Sequence, residues 1–249
     1  MSDEMTIDSY LSQGGVLSNP SNVPPRYRAE LLKLMAIFVD SELAGAAGFA
    51  DVINTGPGIK ERIAAAKIVM EKTDNADRVL SLMGEFGADT QRYVTHHPWT
   101  ARLDRDADIG TKRGDHDMRL AVFNYPIEGW VDAVVMNLLQ GLSVTVQLDE
   151  LQHVSYQPLA EAFRAIRPVE AHHVELAEEG LERIAGDPQA QASAEYWWPR
   201  AASSFGADTS PRFEALKEMG LRRVPNGELR ATWTEAARTA LARHGLTAD

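Results

Sequence analysis

The chain has 249 residues, 44% of them hydrophobic, a formal net charge of −11, a pI near 5.1 and no cysteine. That length and apolar content suffice for one substantial core. The missing cysteines exclude disulfides, iron–sulfur clusters, thiolate zinc sites and cysteine nucleophiles, and the acidic balance argues against general nucleic-acid binding and against an anionic membrane surface.

Residues 1–23 lack periodicity and carry Gly14, Gly15 and Pro20. They read as an arm that is ordered only where it packs on something. Their polar, acidic character shows no secretory leader, no apolar run reaches the roughly 18 residues of a membrane span, and the expected location is cytoplasmic. Residues 24–249 form the helical domain. Pro24 and Pro25 open its first helix, where a missing N–H costs nothing. Leu31, Leu32, Met35, Phe38, Val39 and Leu43 form that helix's apolar stripe, with Glu42 in or beside it. Pro57 opens a second helix whose predicted stripe is Ile59, Ile63, Ala66, Val69, Met70, Ala76, Leu80 and Leu82, with Gly87 as its stop.

From His97 to Val122 the periodicity fails, and the long connection is rich in Asp, Arg, Lys and Gly. Pro126 begins a third helix through Trp130, Val134, Leu138, Leu142 and Val146. A fourth spans Tyr156 to Ile184, with a kink expected at Pro168. A fifth holds Tyr196-Trp197-Trp198-Pro199, and two shorter ones start near Pro211 and Asn226, the latter ending at Gly245. No strand-like alternation of any length occurs, so the class is all-α.

The chemistry lies in two pairings of equal length. Glu42 is followed 29 positions later by Glu71, which opens Glu71-x-x-Asp74; Gly141 is followed 29 positions later by Glu170, which opens Glu170-x-x-His173. Residues three apart share a helix face. A carboxylate from each of two helices and Glu-x-x-His from each of two others is the ligand set of a four-helix di-iron site. Asp74 stands where histidine is expected, and Gly141 where a carboxylate is expected. Glu170 shares its face with Phe163, Ile166, Val174 and Ala177, so it need not face water. His172, about 100° around the helix from His173, belongs in a second shell or the core. His96, His97, His116 and His153 read as surface histidines. Lys67 is either an ordinary i,i+4 partner of Glu71 or a buried cation that neutralises the carboxylates. Arg102, Arg105, Lys112, Arg113 and Arg119 read as a solvated basic loop, with contact to a ligand phosphate as the other reading.

Phe123-Asn124-Tyr125-Pro126, then Trp130 and Asp132, Ser155-Tyr156-x-Pro158, Glu170-x-x-His173 and Trp197-Trp198-Pro199 together resemble the phenylacetic acid catabolic ferritin-like family, and its epoxidase catalytic subunits in particular. The similarity runs from about Pro25 to Gly206, without the family's longer C-terminal tail. The resemblance implies a ferritin-like four-helix bundle with additional C-terminal helices and an oxygenase that uses two irons, or one, or manganese. It also implies a small aromatic or acyl-CoA substrate, and assembly as a homo-oligomer or with a reductase and a related ferritin-like subunit. Carried over by position, the metal ligands would be Glu42, Glu71, Asp74, Glu170 and His173, with Lys67, Asn137 and His172 around them and Asn137 or water standing in for the ligand missing at Gly141. The other implied reading is a structural subunit whose metal site has degraded at Asp74 and Gly141. Four carboxylates crowded in a helical core raise their pKa values or demand cations. Lys67 alone does not balance them, which favours a retained metal.

Overall fold

The computed structural model describes residues 6–95, 98–109, 117–184 and 186–248. It is all-α, with no strand among the described residues, and is consistent with a ferritin-like bundle. Helix α1 (Ile7–Ser12) lies in the N-terminal arm, which is ordered because it packs: Leu11, Leu17 and Val23 are buried. Leu17 also exchanges backbone hydrogen bonds with the turn at Ser155 and Gln157, at 2.7 and 2.8 Å.

Four long helices make the bundle: α2 (Pro25–Val52), α3 (Ile59–Glu85), α5 (Trp130–Leu151) and α6 (Gln157–Ile184), with the short α4 (Arg92–Thr95) just before the long connection. Pro25 at the first turn of α2 and Gly87 past the end of α3, at φ +73°, are the start and stop read from the sequence. Helix α2 packs along α3, α5 along α6, and α3 crosses to α6. The third predicted helix starts at Trp130 and not at Pro126, because Gly129 takes φ +89°, where a right-handed helix cannot run. Helix α6 continues through Pro168 to Ile184.

Helices α7 (Pro188–Ala202) and α9 (Asn226–Ala242) cover the far side of α5, and α8 (Phe213–Glu218) lies between them in sequence. Trp197, Trp198 and Trp233 are buried there, and Trp233 Nε1 donates to the Leu139 carbonyl at 2.9 Å. This explains the composition of α5. By length and hydropathy alone it is apolar enough to cross a bilayer, and two thirds of that window is buried inside the fold. A helix wrapped on all sides is apolar all round.

The described parts of the connection turn their arginines inward, so they are neither a solvated loop nor a phosphate clamp. The Arg119 guanidinium is buried and donates to the carbonyls of Pro98, Trp99 and Ala101. Arg102 donates to the Ala44 carbonyl of α2 at 2.9 Å. Arg105 makes a two-pronged ion pair with buried Asp132, at 2.8 and 2.9 Å, and stacks 3.7 Å from the Tyr196 ring centroid. His96, His97, Lys112, Arg113 and His116 lie outside the described residues.

Asp132 also accepts from Ser193, from Trp197 Nε1 and from the Glu128 amide. Burial opposes its ionisation, yet Arg105 and these donors hold its carboxyl below the usual range. Asp132→Ala therefore strands an arginine and several donors. It should lower stability by about 3–5 kcal/mol, read from the urea midpoint. Removing the solvent-exposed Arg167–Asp149 pair should cost no more than about 1 kcal/mol.

Candidate functional site

The polar centre of the bundle depends on which face of α3 is buried. Ala65, Ile68, Lys72, Asn75, Ala76, Val79 and Met83 are the buried positions, at helical spacing. The predicted stripe is half wrong: Ala76 lies inside, but Ile59, Ile63 and Met70 are 77%, 61% and 58% exposed. Asp74 is exposed with them. The Lys72-x-x-Asn75 step, one residue on from Glu71-x-x-Asp74, is the one that faces Glu170-x-x-His173.

Lys72 Nζ stands 3.3 Å from Glu42 Oε1 and 3.1 and 2.9 Å from the two Glu170 oxygens. All three side chains are almost wholly buried. Asn75 Nδ2 donates to Glu170 Oε1 at 3.0 Å and reaches Glu42 Oε2 at 3.4 Å. Behind this, fully buried His173 puts Nε2 2.9 Å from Glu71 and Nδ1 3.4 Å from Glu170. The lysine stem fits because α2 carries glycine beside it: a Cβ on Gly45 would lie 3.3 Å from Lys72 Cδ and from the Phe123 ring.

Burial pushes the Glu42 carboxyl up to about 8, with the Glu170 charge adding to it and Lys72 only partly offsetting it. Burial opposes ionisation of Glu170 too, but Lys72 and His173 outweigh it and hold that carboxyl far below the carboxylate range. For Lys72, burial works against the charge and the two glutamates overcome it, so the ammonium is raised above its ordinary value. At neutral pH the trio is one ion pair, Lys72 with Glu170, and a largely protonated Glu42.

The residues read as ligands from the sequence separate into groups. Glu42, Glu170 and His173 meet at the centre. Glu71 sits at its edge, shared between His173 and Lys67, whose Nζ is 3.7 Å away and whose side chain is half in solvent. Lys67 is thus the ordinary i,i+4 partner, and the buried cation is Lys72. Asp74 does not join. His172 is half in solvent and pairs with Glu175, so it neither enters the core nor supports the central cluster. Buried Asn137 spends its amide on the His173 carbonyl at 3.0 Å. At Gly141 a Cβ would come within 2.9 Å of Val174, so a close approach of α5 and α6 fills the place of the absent carboxylate. The sequence signal for Lys72 was its register with Ile68, Ala76, Val79 and Met83.

A two-iron centre needs carboxylates and imidazoles at the inward positions of α3. A lysine ammonium has donors only and no lone pair to give, and it stands in hydrogen-bonding contact with both carboxylates that would bind metal. These residues do not fit that centre. Among the described residues, no three Asp, Glu, His or Cys side chains converge as a set that could hold one ion. A cavity of about 280 Å³ opens on the other side of Glu42, between α2 and α5. It is lined by Phe38, Ser41, Phe123, Leu148, Phe205 and Arg222.

An all-α bundle with carboxylates, imidazole and ammonium at its centre is the ferritin-like class with its core ionised from within. The model of the phenylacetic acid catabolic protein family matches residues 5–249, and the chain belongs to that family. It is also similar to one of the subunits of the 1,2-phenylacetyl-CoA epoxidase of Escherichia coli (strain K12), at 25% identity over 256 residues, covering 99% of this chain and 77% of that one.

The charge arrangement predicts a pH dependence. Glu42 is raised from 4.5 to about 8, so the stability linked to its protonated form is complete below its unfolded value and is lost as pH rises through its folded one. Glu170 is lowered, so its contribution is present above its unfolded value of 4.5 and is lost in acid. The thermal midpoint should fall between about pH 5 and pH 9. Glu42→Gln should flatten that alkaline limb, as scanning calorimetry would show.

Proposed function

We propose that this chain is a metal-free, non-catalytic ferritin-like subunit of a phenylacetyl-CoA-epoxidase-type assembly. The observation that carries the reading is the Lys72 ammonium between Glu42 and Glu170. It supplies from within the chain the positive charge that a bound metal would otherwise supply, so the bundle closes on a nearly neutral, hydrogen-bonded core. Oxygen activation would then reside on a related ferritin-like subunit of the complex. The reductase and the acyl-CoA substrate would serve that partner. This chain's residues hold the fold: Lys72 and Asn75 tie α3 to α2 and α6, and His173 ties α6 to Glu71.

The oxygenase reading requires Lys72 to leave the site, and metal analysis separates the two. Purified protein incubated anaerobically with ferrous iron and then desalted should stay substoichiometric in iron and show no absorption change on exposure to oxygen. Lys72→Glu combined with Asn75→His should gain iron under the same treatment, since it puts Glu-x-x-His at the inward positions of α3. Stoichiometric iron in the unaltered chain would overturn the proposal.

A second outcome follows from the charge role of the lysine. Lys72→Met leaves Glu170 buried without its counter-ion and should lose about 3–5 kcal/mol of unfolding free energy in urea. Lys67→Met, at the solvent-facing pair, should change it by no more than about 1 kcal/mol.

A further inference from the structure

The face of α3 opposite Lys72 carries a second feature. Ile59, Ile63 and Met70 are three of the seven large apolar side chains exposed among the described residues, and exposed Ala66 lies between them. Their spacing is four, three and four residues, the a/d seam that packs against another helix. Lys60, Arg62 and Lys67 flank the seam. Arg183 of α6 adjoins it through an ion pair with Glu61 at 2.7 Å. Glu61 pairs with Arg183 and Glu71 with Lys67, so the rim's net positive charge is that of Lys60 and Arg62, a local basic feature on a chain of net charge −11.

We infer that this seam docks an amphipathic helix of a different polypeptide, one with an apolar stripe flanked by Asp and Glu. Charge complementarity selects that occupant over a second copy of the chain. A two-fold pairing centred on the apolar stretch sets the basic flanks of both copies against each other. Sliding the register until Asp74 and Asp77 meet those bases places the two carboxylates over Ile59. Neither arrangement satisfies charge and apolar surface together, whereas an acidic-flanked helix satisfies both.

The test uses the full chain and two synthetic helical peptides with the same leucine seam, one flanked by Glu and one by Lys, with binding read by fluorescence anisotropy. The Glu-flanked peptide should bind about tenfold tighter or better, from two or three flank ion pairs, and the difference should shrink at high salt. Ile63→Glu, at a solvent-exposed site that should leave circular dichroism unchanged, should abolish binding. Lys60→Glu with Lys67→Glu should reverse the preference between the peptides. Equal binding of the two peptides, or no binding of either, would overturn the inference. So would sedimentation of the unaltered chain as a dimer that Ile63→Glu dissociates, since a second copy would then be the occupant. The seam and the Lys72 cluster lie on opposite faces of α3, so peptide binding and iron content fail or succeed separately.

Discussion

The ion pair between Lys72 and Glu170, with Glu42 beside it, is the constraint on which the rest of the bundle depends. A buried ammonium is tolerated only if its donors are matched by acceptors, and here both carboxylates reach it within hydrogen-bonding distance. That requirement brings together α2, α3 and α6. Helix α5 contributes no charge to the centre. It supplies an amide from Asn137 to the α6 backbone and a glycine where the helices close together. The centre is therefore charged on three helices and uncharged on the fourth, and the cavity beside Glu42 opens on the α5 side.

A second polar anchor works on a different principle. Asp132, at the start of α5, gathers Arg105, Ser193 and Trp197. It thus fastens the long connection and α7 to the bundle through one carboxylate. Arg105 and Arg200 stack on Tyr196, at 3.7 and 3.6 Å from the ring centroid. Among the described residues of the connection, Arg102, Arg105 and Arg119 are consumed in fastening an irregular segment to the bundle. Sequence alone does not separate such residues from ligand-binding ones, because both roles draw on the same side chain.

Much of the fold was legible. Pro25 and Gly87 marked a start and a stop by backbone chemistry that tertiary contacts do not override, and the Phe163, Ile166, Ala177 face of α6 placed Glu170 and His173 inside, where they are. The register of α3 was not legible in the same way. Ile59, Ile63 and Met70 supply the stronger hydrophobic signal, while the buried face is interrupted by a lysine and an asparagine. A charged residue that is buried because it is paired contradicts the pattern by which buried faces are found. Its partners come from helices 30 and 98 positions away in sequence. The pairing of Glu42 with Glu71 was thus one residue out of step with the cluster that forms.

The approach of α5 to α6 at Gly141 acts as a steric lock on the bundle centre. A Cβ there would lie 2.9 Å from Val174 Cγ2, so any side chain on α5 at this depth requires Val174 to shift. Access to a ligand from the fourth helix is therefore governed by a residue that has no ligating chemistry.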